Sequence, residues 1–391
     1  MGKRSRLAAL AAVAIIAAAC QSGATPKPTP DLPKEIGAGE GALNLVIWAG
    51  YAERGEVYPE FDWVTGFEKD TGCKVATTNM TDSNNGVSLI QSGAYDGISA
   101  SGDATTRLIA GGYAAPVNTA LFKNYANVFA GMKDLKHNTV DGVNYGVPHG
   151  RGPNLLAYNS DVITTPPTSW DSVWEDGSMY QGKISIYDSS IYIADAALHL
   201  MTKQPDLKIT NPYQLNQAQF DAAIALLEKQ KANGANYWGS YSDQVSQYAS
   251  GDVVTGTTWQ FQVNLLQAEG APIAAVLPDE GSTGWSDTWM IAKDAKNPNC
   301  MYMWMDHMMS AEANGQATVF FGEAPTSQQA CDYAETISPG HCALTNATNE
   351  AYYDKIWYWS TPQADCADAD AATTCKDQDA WVAAWTALRG G

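Results

Sequence analysis

Asn44-Leu45-Val46-Ile47-Trp48-Ala49-Gly50-Tyr51, followed by Phe67-Glu68-Lys69-Asp70-Thr71-Gly72-Cys73-Lys74-Val75, is the stretch whose reading decides the fold. The apolar run over 43–47 predicts a short strand that ends at Trp48. Residues 61–69 then predict a helix, closed by Asp70-Thr71-Gly72, and 74–78 a second strand. Working outward, a helix over 87–91, a strand over 95–99 and a helix over 104–110, stopped by Gly111-Gly112, continue the alternation. Strands over 144–147 and 155–158 flank Pro148-His149-Gly150-Arg151-Gly152-Pro153, which reads as a loop crossing between lobes. A strand over 183–187 and helices over 194–201 and 216–233 begin a second unit. Strands that alternate with helices imply mainly parallel sheets covered on both faces.

The chain has 391 residues, 45% hydrophobic and 17% charged, which suits about two domains and is too apolar for disorder. Its 42 acidic residues against 23 basic ones give a formal charge of −19. Such a balance argues against nucleic acid, because binding a polyanion needs clustered Lys and Arg. It attracts cations or keeps a surface solvated. Lys3, Arg4 and Arg6 precede an apolar run over 7–19, the pattern of an export signal and too short for a permanent membrane helix. The run ends in Ala17-Ala18-Ala19-Cys20, which resembles the lipobox of bacterial lipoproteins. Residues 1–19 are therefore expected to be removed, Cys20 to carry the lipid, and 20–42, rich in Pro, Gly, Ser and Thr, to act as a flexible linker. The protein is expected on the outer face of a cytoplasmic membrane, touching it through the lipid anchor only.

Six further cysteines, Cys73, Cys300, Cys331, Cys342, Cys366 and Cys375, suit an exported chain with disulfides. Fifteen pairings are possible. Short loops favour Cys331 with Cys342 and Cys366 with Cys375, leaving Cys73 with Cys300. No CxxC and no Cys/His group at zinc spacing occurs, so no metal is expected. Met301, Met305 and Met308 share one helical face and read as core. Asp365, Asp368 and Asp370 lack the turning Gly and closing Glu of a calcium loop and read as a solvated segment. His137, His149, His199, His307 and His341 lie in no catalytic motif, and no GxSxG elbow or phosphate-binding glycine loop is present. Neither an enzyme nor a cofactor is expected.

Ligands of open α/β sheets lie beyond the carboxyl ends of strands. The segments found there are 48–51, 100–103, 188–192, 259–262 and 285–287. Trp48, Tyr51, Trp259 and Trp285 can stack on a ligand, and Asp287 can neutralise an ammonium group. Any one of these tryptophans alone packs a core as readily.

These residues are similar to a known family. Asn44 through Tyr51 looks like the opening strand and Trp-x-x-Tyr ligand loop of the solute-binding proteins of bacterial ABC importers, in the spermidine/putrescine-binding branch. Phe67 through Val75 resembles the family's next helix and strand, and Ala94-Tyr95-Asp96 through Ser101 its Tyr-Asp strand and Ser-bearing turn. Pro278-Asp279-Glu280-Gly281-Ser282-Thr283-Gly284-Trp285-Ser286-Asp287 resembles its Pro-x-Glu-Gly segment ending in Trp-x-Asp. The resemblance implies an α/β, two-lobed fold of the type II periplasmic-binding-protein kind, each lobe a mainly parallel sheet flanked by helices, with the ligand cleft between. Lobe 1 is expected over 43–148 and 286–328, lobe 2 over 149–285 and 329–391. By the same resemblance Trp48, Tyr51, Ser101, Trp259, Trp285 and Asp287 contact the ligand. Ser189 and Tyr192 stand where two acids are expected, leaving the adjacent Asp188, and Asp103 replaces an expected Tyr. Trp357-Tyr358-Trp359-Ser360-Thr361-Pro362-Gln363 lies where the family adds a polar contact. The implied function is capture of a small amine, a polyamine such as spermidine or putrescine, by a monomer that passes it to an ABC permease. The missing acids keep a monoamine, quaternary ammonium compound, amino acid or sugar open as the solute. A surface lipoprotein that binds a partner protein is the alternative from another class.

Overall fold

Leu43, Leu45 and Ile47 point into one apolar cluster and Val46 into another, so the first strand, β1 (Ala42–Ile47), is covered on both faces. It pairs in parallel with β2 (Lys74–Asn79) and β3 (Gly97–Ala100). This computed structural model describes residues 32–390 apart from 57, 176–178 and 367–373. The signal at 1–19, Cys20, the linker to residue 31, Asp368 and Asp370 lie outside the described residues. The helix between β1 and β2, Val64–Thr71, begins later than 61. Asp62 bridges Arg54, and its Oδ1 accepts from the Thr65 amide at 2.8 Å, so the turn before the helix stays extended. Gly72 closes it at φ 73°. The next helix, Ser83–Gln91, starts before the expected 87 because the Asp82 side chain accepts from the Asn85 amide. Helix Gly102–Ala110 follows β3.

The strand expected over 144–147 is divided. β4 (Thr139–Val140) and β5 (Val143–Asn144) form a tight hairpin through Asp141 and Gly142, both at positive φ, the Asp-Gly pattern of a type I′ turn. β6 (Val147–Pro153) then runs straight through the segment read as a loop. Its glycines serve contact rather than turning. A Cβ on Gly150 would meet Glu323 Cδ at 2.5 Å, and one on Gly152 would meet Trp285 Cζ2 at 2.7 Å.

β7 (Leu155–Asn159), β8 (Ile184–Tyr187), β9 (Asn236–Trp238), β10 (Thr255–Thr258) and β11 (Ile273–Val276) build a second sheet in the order β11-β7-β10-β8-β9. β12 (Ser282–Ile291) and β13 (Ile356–Tyr358) return to the first, ordered β13-β12-β3-β1-β2 with β6 also on β12. Each sheet is mixed rather than mainly parallel. β12 runs antiparallel to β3 and β6, and β7 antiparallel to β10 and β11. The chain passes from the first sheet to the second at Asn154, returns between β11 and β12, and leaves again after β13. Helix Gln378–Gly390 then buries Trp381, Trp385 and Leu388 in the second core. The expected lobe divisions at 148/149 and 285/286 fall inside β6 and β12.

Met301, Met305 and Met308 are buried in the first core, on helix Pro298–Met308. Disulfides join Cys73 to Cys300, Cys331 to Cys342 and Cys366 to Cys375. Among the described residues, no helix is long and apolar enough to cross a membrane.

Candidate functional site

β12 presents Asp287 at an irregularity in its pairing with β6, between Asp287 and Thr288. The carboxylate is only 2% exposed and is held from two directions. Ser101, which precedes helix Gly102–Ala110, donates to Oδ1 at 2.6 Å. Tyr51, in the turn after β1, donates to Oδ2 at 2.8 Å. That turn is closed by the Tyr51 amide donating to the Trp48 carbonyl, with Gly50 at φ 93° between them. Burial pushes the Asp287 carboxyl up to about 6, the two hydroxyl donors and His149 opposing the rise and the neighbouring Glu323 adding to it. Burial, and then the charge of Asp287, hold the Tyr51 phenol well above its ordinary value, so it remains a donor.

Sequence reasoning missed two members of this cluster. The His149 ring stacks on Tyr51 at 4.1 Å, and its Nδ1 accepts from Trp289 Nε1 at 2.9 Å, which leaves the ring proton on Nε2. That Nε2 lies 3.2 Å from Glu323 Oε1. Glu323 is fully buried, and apart from this approach of His149, which falls outside hydrogen-bond geometry, neither of its carboxylate oxygens has a hydrogen-bond partner among the described residues. It follows Gly322, which ends helix Ala311–Phe321 at φ 66°. A Glu just after a helix is ordinarily solvated, so nothing local marks it. His149 was hidden by reading β6 as a loop.

Across from this cluster, Tyr187 at the end of β8 stacks on Trp359 at 5.9 Å and an interplanar angle of 4°. Trp259 and Trp238 pack around it at 5.4 and 4.8 Å. Burial raises the Tyr187 phenol, and the carboxylates of Asp103, Asp82, Asp188 and Asp287 raise it further. Acids carried by both sheets therefore act on one aromatic ring. Trp259 Nε1 donates to Asn154 Oδ1 at 2.9 Å, and Asn154 Nδ2 donates to Thr283 at 2.7 Å, which ties the ring to the crossing between sheets. Trp285 lies half-buried over Gly152, its buried Nε1 without a hydrogen-bond partner among the described residues. Trp48 packs half-buried against the first-sheet clusters, its amide 3.4 Å from Ser99 Oγ.

The remaining expected residues divide. Asp103, 6% exposed, accepts from Ser83 Oγ at 3.0 Å and is raised by burial. Asp188 is already paired, since Arg389 grips both its oxygens at 3.0 Å and Trp385 Nε1 donates to one of them at 3.0 Å. Tyr192 is buried. Its ring stacks on Trp174 inside the second core, and Gln230 and Thr257 donate to its hydroxyl. Ser189 lies half-buried just before the short turn Ser190–Tyr192.

Residues 62–343 match the family described as bacterial extracellular solute-binding protein. The putrescine/agmatine-binding protein of Pseudomonas aeruginosa is 24% identical over 286 residues, 69% of this chain and 76% of that one. Among solved structures, the spermidine/putrescine ABC transporter substrate-binding protein of Streptococcus pneumoniae superposes with a TM-score of 0.67 at 17% identity, covering 89% of this chain and 97% of that one. A periplasmic binding protein of A. tumefaciens in complex with glucopine gives 0.65 at 18% identity, covering 89% and 99%. The likeness to these structures establishes a two-lobed α/β binding-protein fold.

Proposed function

Because the chain belongs to the bacterial extracellular solute-binding proteins, we propose that it captures a small cationic amine of the polyamine class between its two sheets. The first lobe is formed by the sheet of β1, β2, β3, β6, β12 and β13, the second by the sheet of β7 to β11 with the last helix. The ammonium group sits against Asp287 and Glu323, and the aliphatic chain runs between Trp48, Trp285, Trp259 and Tyr187, where each cation–π contact supplies roughly 0.5 to 2 kcal/mol. Ser101 and Tyr51 hold the Asp287 carboxylate in place, and Asp103 faces the same aromatic ring from the first lobe. Closure of the lobes desolvates the amine, and an ABC permease receives it with no bond made or broken. Cys20 carries the lipid that keeps the protein at the membrane.

The observation that carries this reading is the buried pair Asp287 and Glu323. The hydroxyl donors satisfy only Asp287, and Glu323, approached by His149 Nε2 at 3.2 Å on one oxygen, has no hydrogen-bond partner for either oxygen among the described residues. A ligand cation compensates such a pair. Calorimetric titration with putrescine and spermidine tests the assignment. Trp285→Ala and Asp287→Asn are each expected to weaken binding at least tenfold, and unchanged affinity in both would remove these residues from the site.

One observation favours a second reading. Asp188, the remaining acid of the second lobe at the expected position, is taken by Arg389, so a ligand with a single cationic end fits as well as a diamine. A thermal-shift screen against diamines, monoamines, betaines and amino acids separates the two, because a ligand that binds only the folded chain raises its melting temperature.

A further inference from the structure

Asp171, His199 and Glu280 are distant in the chain and take no part in the cluster around Asp287. Asp171 opens the short helix Asp171–Trp174, His199 lies on helix Ile193–Lys203, and Glu280 sits in the turn before β12. One ring nitrogen and one carboxylate oxygen from each acid lie within 4.8 Å of one another. His199 is fully buried. Its Nε2 is 3.1 Å from Glu175 Oε1, and its Nδ1 has no hydrogen-bond partner among the described residues. With the proton held on Nε2 by that carboxylate, Nδ1 presents a bare lone pair. Glu280 accepts from the Ser169 hydroxyl through Oε1, while its buried Oε2 has no hydrogen-bond partner among the described residues.

A neutral imidazole lone pair beside two carboxylates is a donor set for a cation, and the carboxylate behind the imidazole is the outer contact that orients metal-binding histidines. The nitrogen donor disfavours calcium and magnesium, which prefer oxygen, and suits a first-row divalent ion. We propose that Asp171, His199 and Glu280 bind one zinc-class divalent metal ion, through His199 Nδ1 and one oxygen from each carboxylate, with water completing the coordination. Lys203 Nζ, 2.7 Å from Asp171 Oδ1 on a partly exposed stem, is the ion's competitor. The metal enters as that ammonium swings away.

The untagged full chain, chelator-stripped and carrying Cys20→Ser to remove the one thiol outside the three disulfides, is titrated with Zn2+ by calorimetry, with Ca2+ and Mg2+ as controls. One Zn2+ per chain is expected, with no saturable binding of the controls. Glu280→Gln should weaken Zn2+ binding at least tenfold, and Lys203→Met should strengthen it several-fold. His199→Ala should abolish it. Because His199 is buried, that variant counts only where circular dichroism shows it folded, and the other two carry the test without it. Absence of saturable Zn2+ binding, or an affinity unmoved by both Glu280→Gln and Lys203→Met, overturns the proposal.

Discussion

At the scale of the residue, Asp287 sets the pH behaviour expected of the site. Its carboxyl is raised to about 6 in the fold against an ordinary value of 3.8, with burial the largest cause. A raised acid favours folding while it is protonated, so its contribution is present below the ordinary value and is lost as pH climbs through about 6. Ligand capture has the opposite sign, since only the ionised form attracts an ammonium group. Amine affinity is therefore expected to climb as pH rises towards about 6, with a slope of up to about tenfold per unit, and to level off about one unit above it. Calorimetry in wild type and Asp287→Asn checks this. A profile of the same slope in both proteins would show that another group governs it.

Among the elements, β6 and β12 carry the proposed site, and the reading of β6 depends on what glycine does. In sequence, Pro148-His149-Gly150-Arg151-Gly152-Pro153 has the composition of a turn. In the fold those glycines let a strand lie flush against Trp285 and Glu323. Gly152→Ala is expected to force the Trp285 ring aside, costing about 1 to 3 kcal/mol of stability by overpacking and weakening amine binding with it. Denaturant unfolding and calorimetry measure the two effects, and an unchanged variant would mean that the ring has room to yield. The helix starts were partly legible. Asp82 is a recognisable cap ahead of Ser83–Gln91, yet the apolar periodicity begins only at Val87, and the pattern alone placed the start there.

For the molecule as a whole, the disulfides differ in what they constrain. Cys73 and Cys300 are 227 residues apart and Cys366 and Cys375 only 9. Restricting the unfolded chain over the longer loop is worth about 5 kcal/mol against about 3 or less for the shorter, on the loop-entropy account. Replacing Cys73 and Cys300 by serine should lower the melting temperature more than replacing Cys366 and Cys375. Equal losses would contradict that account. The strand–helix alternation, the even cysteine count and the aromatic and acidic residues beyond the strand ends were all legible in the sequence, because each depends on residues close together in the chain. Which acids remain free for a ligand was not. Tyr51 reaches Asp287 across 236 residues, Ser101 reaches it across 186, and Arg389 reaches back 201 residues to occupy Asp188. His149 and Glu323 join the proposed site, and Tyr192 is packed into the second core, through contacts of the same long range. Local pattern determines which element a side chain stands on, whereas its partner, and hence its charge and availability, is decided only when distant elements pack together.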